Sequence, residues 1–435
     1  MKLNPINRRD FLKLLGISPL VFLDHANFPY ELSSKNLQTS LPNILILVFD
    51  ALSARNMHLY GYPRSNTTNI ERLSKKSNIY LHHYASGNFT SPGTTSLLTG
   101  VYPWTHRAIH MRGQALNRFS KQNIFGLLPD DYFKFAYTQN PFVYSILYQE
   151  RHQINHLVKI SELALLSNSY ADKWLSRDFF VANEGELVTL KNEYDPPSSL
   201  FLSILDKYHS KKQTEKTNGE YRDIFPRGVP NCRSGKPGLQ CFTLERTFDW
   251  LRQYIKNQPN PYLGYVHVFP PHAPYNPSKE FINYFHDEWE PPEKPQHYFS
   301  EGYKQKALNR SRRQYDEYIA YLDAEFGKLL DGLELDGSLE NTILVVTSDH
   351  GEMLERGILG HTTPVLYEPI IKIPLLILKP GQTQSKVIEQ PTNAVDLLPT
   401  LLSIAGNPIP SWCEGAILPG FDSLTTRLRA EVYFL

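Results

Sequence analysis

Thr342-Ile343-Leu344-Val345-Val346-Thr347-Ser348-Asp349-His350-Gly351-Glu352 decides how the rest of the chain reads. Its first half is an unbroken β-branched and apolar run, the pattern of a strand buried on both faces. It stops in a polar turn carrying Ser, Asp, His and Glu beside a glycine. In open α/β sheets ligands gather at the carboxyl ends of such strands. A carboxylate next to an imidazole at that place can hold a divalent metal. Taken alone, the pair reads equally well as a capping aspartate and a solvated histidine.

Asn43-Ile44-Leu45-Ile46-Leu47-Val48-Phe49-Asp50 repeats the pattern, a buried run ending in a carboxylate. Two core strands that each deliver an aspartate at the same kind of terminus are harder to dismiss than one. Asn88-Phe89-Thr90-Ser91-Pro92-Gly93-Thr94-Thr95-Ser96-Leu97-Leu98-Thr99-Gly100 is a third informative stretch. Ser91 suits an N-cap, Pro92 the first helical position and Gly100 a C-terminal stop. Thr90 is then expected just before a helix N-terminus, where free N–H groups and the dipole attract anions. An alcohol there faces the bound anion, as a nucleophile must. By itself the stretch needs no more than a capped helix.

Around these stretches, strand-like runs alternate with helical ones. Strands are expected at Tyr132–Tyr137, Tyr262–Val268 and Ile373–Leu378, with a further strand-like end at Ala430–Leu435. Helices are expected from Thr67, over Phe248–Ile255, over Tyr315–Leu333 and over Asn393–Ala405, the last closed by Gly406. The alternation argues an α/β fold, a mostly parallel sheet with helices on both faces. Phe269-Pro270-Pro271-His272-Ala273-Pro274-Tyr275 holds His272 among prolines after a strand, which favours a site role over a core one. Residues 155–245 read as an irregular insertion or lid.

Composition narrows the partners. The 435 residues carry a net charge of +1, so no broad field selects nucleic acid or an acidic membrane. Residues 1–29 read as an export signal: Asn7-Arg8-Arg9-Asp10-Phe11-Leu12-Lys13 has the twin-arginine pattern before the apolar run Leu14–Leu23. That run is short for a spanning helix, which needs about 20 residues, and no other stretch replaces it. The expected address is the periplasm or cell envelope, reached through the twin-arginine export machinery, with residues 30–41 as a linker. Of the three cysteines, Cys232 and Cys241 bracket a loop and form the expected disulfide, leaving Cys413 odd.

Together the stretches resemble the sulfatase family of the alkaline phosphatase superfamily. The matching pieces are Asn43–Asp50, Thr90–Pro103, His272-Ala273-Pro274-Tyr275, Tyr315–Gly327, Thr347–Glu352, Gly360-His361, Ile373–Gly381 and Asp396–Thr400, in family order over residues 42–406. The resemblance implies a catalytic domain there, with residues 407–435 a reduced C-terminal subdomain. It implies Asp50, Asp349, His350 and Thr90 as ligands of one divalent metal (manganese, zinc or calcium, with magnesium admitted). It implies Thr90 as nucleophile, His272 and His361 as catalytic contacts to the transferred group, and Asn88 beside them in substrate binding.

The departures from the family set the chemistry. Threonine stands at 90 and 94, where sulfatases carry the Cys or Ser that becomes an aldehyde and the arginine that serves it. The family's Lys-x-His falls near Gln139-Asn140, and its second aspartate is Ala51. A native threonine resembles instead the phosphoethanolamine and phosphoglycerol transferases and the nucleotide phosphodiesterases. The expected activity is cleavage or transfer of a phosphate ester on a small molecule, glycan or lipid headgroup through a covalent Thr90 intermediate. Two alternatives stay open: a sulfate-ester hydrolase using unmodified Thr90, and a non-catalytic anion-binding envelope protein.

Overall fold

The computed structural model describes residues 41–111, 113–165, 200–230 and 241–421, with side chains of 200–207 and 209–210 excepted. The export segment, Cys232 and the strand-like end at Ala430–Leu435 lie outside the described residues. Eight segments build the main sheet: β1 (Asn43–Phe49), β2 (Asn78–Tyr80), β3 (Phe133–Thr138), β4 (His156–Leu157), β5 (Tyr262–Val268), β6 (Thr342–Thr347), β7 (Leu375–Leu378) and β8 (Lys386–Ile388). Their order across the sheet is β8-β2-β7-β6-β1-β5-β3-β4. Every pairing is parallel except those of β7, which runs against both its neighbours.

The two carboxylate-delivering strands sit side by side at the centre, as their apolar content requires. All seven residues of β1 and all six of β6 are buried. Leu45, Leu47 and Phe49 face one layer, with Tyr318, Leu322 and Phe326 of the helix Gln305–Leu335 and Leu251 of the helix Leu244–Lys256. Ile44, Ile46 and Val48 face the other, with Leu97 and Leu98, Val143 and Leu147, and Leu401. Each such side chain contributes about 1.5–3 kcal/mol on burial, so the sheet's middle resists displacement.

Several boundaries differ from the sequence expectation, for physical reasons. The long helix begins at Gln305 rather than Tyr315. Its first turns are Gln-, Lys- and Arg-rich, good helix formers without the apolar stripe that marks the rest. β7 begins at Leu375 because Pro374 has no N–H to give the ladder. The segment 155–245, expected to be irregular, supplies the edge strand β4 and a 21-residue helix, Leu200–Glu220. Cys241 is disulfide-bonded and Cys413 is free.

Glu150 follows the helix Pro141–Gln149, is buried, and its Oε2 has no partner. Burial raises its carboxyl well above the usual 4.5. The folded protein therefore holds a proton that the unfolded chain loses above about pH 4.5, and stability falls as pH rises, at most ~1.4 kcal/mol per pH unit. Glu150→Gln removes that slope. Thermal melts should show the variant level with the native protein near pH 4.5 and increasingly more stable toward pH 8.

Candidate active site

The register places the site before any side chain is considered. Thr138 of β3 pairs with His267 of β5, His267 with Val48 of β1, and Val48 with Thr347 of β6. Two residues beyond that rung stand Asn140, Asp50 and Asp349. Of the four adjacent strands β3, β5, β1 and β6, three thus end at one level and each present a polar side chain.

The turn after β1 is unusual. Ala51 is buried with φ 62°, a left-handed conformation that costs a non-glycine residue on the order of 1 kcal/mol or more. It is held there from two sides. Its N–H donates to Asp349 Oδ1 (3.2 Å), and Tyr315 donates its hydroxyl to the Ala51 carbonyl (2.5 Å) while accepting from Ser53 N–H (3.0 Å). Ser348 Oγ accepts from Leu52 N–H and donates toward the Phe49 and His350 carbonyls, tying the ends of β1 and β6 together.

These bonds leave selected atoms empty-handed. Asp349 Oδ1 takes the N–H groups of Ala51 and His350, so Oδ2 has no partner. Asp50 Oδ2 accepts from Asn140 at 2.6 Å, so Oδ1 has none. His350 donates through Nδ1 to the Gly351 carbonyl (2.9 Å), which turns its Nε2 lone pair inward. Nε2 lies 3.5 Å from Asp50 Oδ1, 3.5 Å from Asp349 Oδ2 and 3.4 Å from Thr90 Oγ1. Three buried acceptors facing one another repel unless a cation lies among them. The donor set of carboxylates, imidazole and hydroxyl fits a divalent metal.

His267, absent from the sequence expectation, joins this group. Its Nε2 has no hydrogen-bond partner and lies 3.4 Å from Asp50 Oδ2 and 3.8 Å from Asp349 Oδ2. Asp50, His267 and Asp349 each offer a ligand atom within 4.8 Å of the others. Its Nδ1 shares a hydrogen with the Tyr265 hydroxyl at 3.0 Å. Protonation follows the same logic. Burial would raise Asp50, but His272, His267 and His350 hold it well below the ordinary carboxylate range. Asp349 is pushed well above that range by burial and then by the Asp50 charge. Burial, and then His361, hold His350 well below the usual histidine value, as a neutral lone-pair donor.

Thr90 is not before the helix, as expected, but its first residue. The helix runs Thr90–Thr99, and Phe89 is the cap with φ −154°. Gly100 closes it at φ 67°, as expected. Thr90 is buried, and its Oγ1 is 3.4 Å from Asn140 Nδ2 as well as from His350. The helix start can lie this close because residue 93 is glycine. A Cβ there would stand 2.2 Å from the Asp349 carbonyl oxygen.

A row of imidazoles continues the site. The rings of His350 and His361 are 4.2 Å apart, and those of His361 and His272 are 4.8 Å apart. His361 Nδ1 is 3.3 Å from Glu352 Oε1, and His272 Nδ1 donates to the Ala273 carbonyl (2.7 Å). Burial lowers the pKa of His272. Asn88, expected in substrate binding, precedes this row in the chain and reaches the loop beside it. Its NH2 group donates to the Thr363 carbonyl (2.5 Å) and the His361 carbonyl (3.3 Å), bracing the loop that carries His361.

A family model described as Sulfatase matches residues 42–407. The chain belongs to the sulfatase family. It is 23% identical over 409 residues to N-acetylgalactosamine-6-sulfatase of Rattus norvegicus, covering 90% of this chain and 66% of that protein. It therefore spans slightly less than two thirds of that relative's length. Over 115 residues, 26% of this chain and 22% of the relative, it is 36% identical to choline-sulfatase of Rhizobium meliloti (strain 1021). Its fold is that of a phosphonate monoester hydrolase of Agrobacterium radiobacter, with TM-score 0.60 at 18% identity, covering 87% of this chain and 77% of that one. BT4656, solved with its substrate D-glucosamine-2-N,6-O-disulfate, superimposes with TM-score 0.57 at 17% identity over 86% of this chain and 79% of its own.

Proposed function

We propose that this sulfatase-family chain is a metal-dependent enzyme that cleaves or transfers phosphorus esters through Thr90. The observation that carries the reading is the meeting of Asp50 Oδ1, Asp349 Oδ2, His350 Nε2 and Thr90 Oγ1 at a helix N-terminus. Asp50, Asp349, His350 and the Thr90 hydroxyl would hold one divalent cation, with His267 within reach. When bound, such a cation supplies charge neutralisation and a more acidic hydroxyl.

The chain's own residues do the rest. Thr90 Oγ1 loses its proton to solvent and bonds to phosphorus, while the bond from phosphorus to the leaving oxygen breaks. The N–H groups of the first helical turn face the charge that builds on the other phosphoryl oxygens. The leaving oxygen takes a proton from His361, whose charge Glu352 offsets, while His272 contacts the transferred group. Water, or an acceptor alcohol, then gives its proton to His361 and bonds to phosphorus, while the bond from phosphorus to Thr90 Oγ1 breaks and that oxygen regains a proton from solvent. The same reading places the enzyme in the cell envelope, because residues 1–29 carry the export pattern; cell fractionation checks this.

A second reading, sulfate-ester hydrolysis by the unmodified Thr90, is favoured by the sulfatases among the relatives. One panel separates the readings. It holds p-nitrophenyl sulfate, p-nitrophenyl phosphate, bis(p-nitrophenyl) phosphate and a p-nitrophenyl phosphonate, each with manganese, zinc, calcium or magnesium. The expected result is turnover of a phosphorus ester at least ~10-fold above the sulfate, loss on chelation and return with metal. Sulfate turnover without phosphorus-ester turnover establishes the second reading. No turnover and no stoichiometric metal leaves an anion-binding protein.

A further inference from the structure

Asn140 is the polar residue at the strand-end level that neither reading uses. It is buried, and it caps the helix Pro141–Gln149 by accepting the Phe142 N–H at 2.8 Å. That bond identifies the accepting atom as Oδ1, so the other atom is the NH2 group and cannot be exchanged with it. Its own N–H is held by Thr138 Oγ1 at 3.0 Å, and Pro141 stiffens the next position. The NH2 group therefore has one direction available. It points to Asp50 Oδ2 at 2.6 Å and Thr90 Oγ1 at 3.4 Å.

We propose that Asn140 is the positioning residue of this site: a neutral donor, fixed by a helix cap, that sets the rotamers of both Asp50 and Thr90. Two consequences follow from the geometry. By occupying Asp50 Oδ2 it leaves Oδ1 as the oxygen facing Asp349 and His350. By donating toward Thr90 Oγ1 it occupies one lone pair and leaves the other for the incoming group, and it does so without adding charge. A cationic side chain there would compete with a metal for Asp50; an amide does not.

The kinetic part of the test rests on the proposed phosphorus-ester reading, and the structural part does not. Asn140→Asp keeps an acceptor for Phe142 N–H but replaces the donor with a second acceptor. It keeps the cap, because aspartate caps as well as asparagine, but the carboxylate set against Asp50 Oδ2 should lower its melting temperature. Its kcat should fall about 100-fold with KM within about threefold, the pattern of a lost transition-state contact. Asn140→Ala should lose the cap as well and melt lower. Crystals of the native protein and both variants need no substrate. In Asn140→Asp the Asp50 carboxylate should swing off the residue-140 side chain, and in Asn140→Ala Thr90 should occupy more than one rotamer. Native rotamers of Asp50 and Thr90 in both variants overturn the proposal, as does an unchanged kcat in Asn140→Asp. A native protein that turns over no ester removes the phosphorus-ester reading, and the crystals still decide the role of Asn140.

Discussion

Thr90→Ala should reduce turnover of whichever ester the panel identifies by at least ~1,000-fold, the order expected when a nucleophile is removed and only binding and electrostatics remain. Thr90→Ser should keep a measurable fraction, since it retains the hydroxyl and loses only a methyl group. The argument depends on where Thr90 sits. It is the first helical residue, Phe89 is the cap, and the cap makes no side-chain hydrogen bond. The Thr90 hydroxyl is thus not spent on stabilising the helix. It is free to face His350 Nε2 and Asn140 Nδ2. Alanine is at least as good a helix former as threonine, so the melting temperature should move by only a few degrees. Brief exposure of the native protein to the substrate should leave a phosphoryl group on the Thr90 peptide, read by mass spectrometry. Full metal-dependent turnover by Thr90→Ala would remove the covalent step.

Much of the scaffold is legible because central strands leave a plain signature. Tyr262–Val268 has the expected bounds, and β1 ends one residue short of the carboxylate that marks it. A buried parallel strand is an apolar run, and such runs hide little. The site is only partly legible, since its missing members depend on strand order. His267 lies inside an apolar strand, where a histidine reads as core. Only when β5 is known to flank β1 does His267 fall beside Asp50. Asn140 looks, in the sequence, like the gap left by a missing Lys-x-His pair. The rung from Thr138 through His267 and Val48 to Thr347 puts it level with both aspartates. The helix starts earlier than expected, at Thr90, because Ser91-Pro92 imitates a cap and first turn. The extended backbone of Phe89 ends the loop sooner, and packing against Asp349 overrides the local preference. Ala51 gives no sign of its left-handed turn, because that conformation is imposed by Tyr315 and Asp349 from far along the chain.

Gly93→Ala should be among the most damaging single-methyl changes near the site. In an ordinary exposed helix interior this substitution stabilises, by up to about 1 kcal/mol. Gly219, in the helix Leu200–Glu220 with nothing within 4 Å of the place a Cβ would take, is the matching control and should behave that way. At Gly93 the added Cβ would lie 2.2 Å from the Asp349 carbonyl oxygen and 3.1 Å from its carbon. Neither side can yield cheaply. Asp349 follows the central strand β6, and its carboxylate is held by two N–H groups. Behind it, Gly351 is itself packed so closely that a Cβ would meet the Pro369 carbonyl at 2.1 Å. The helix is anchored by Leu97 and Leu98 in the core. What gives way is the helix start, and Thr90 is its first residue. A shift of about 1 Å there would cost roughly 100-fold in rate, and the overpacking about 1–3 kcal/mol in stability. Melting curves and turnover, run beside Gly219→Ala, read both effects. A Gly93→Ala protein that melts at or above the native temperature and keeps its activity would mean that the helix carrying Thr90 does not rest on Asp349, and the site would have to be assembled another way.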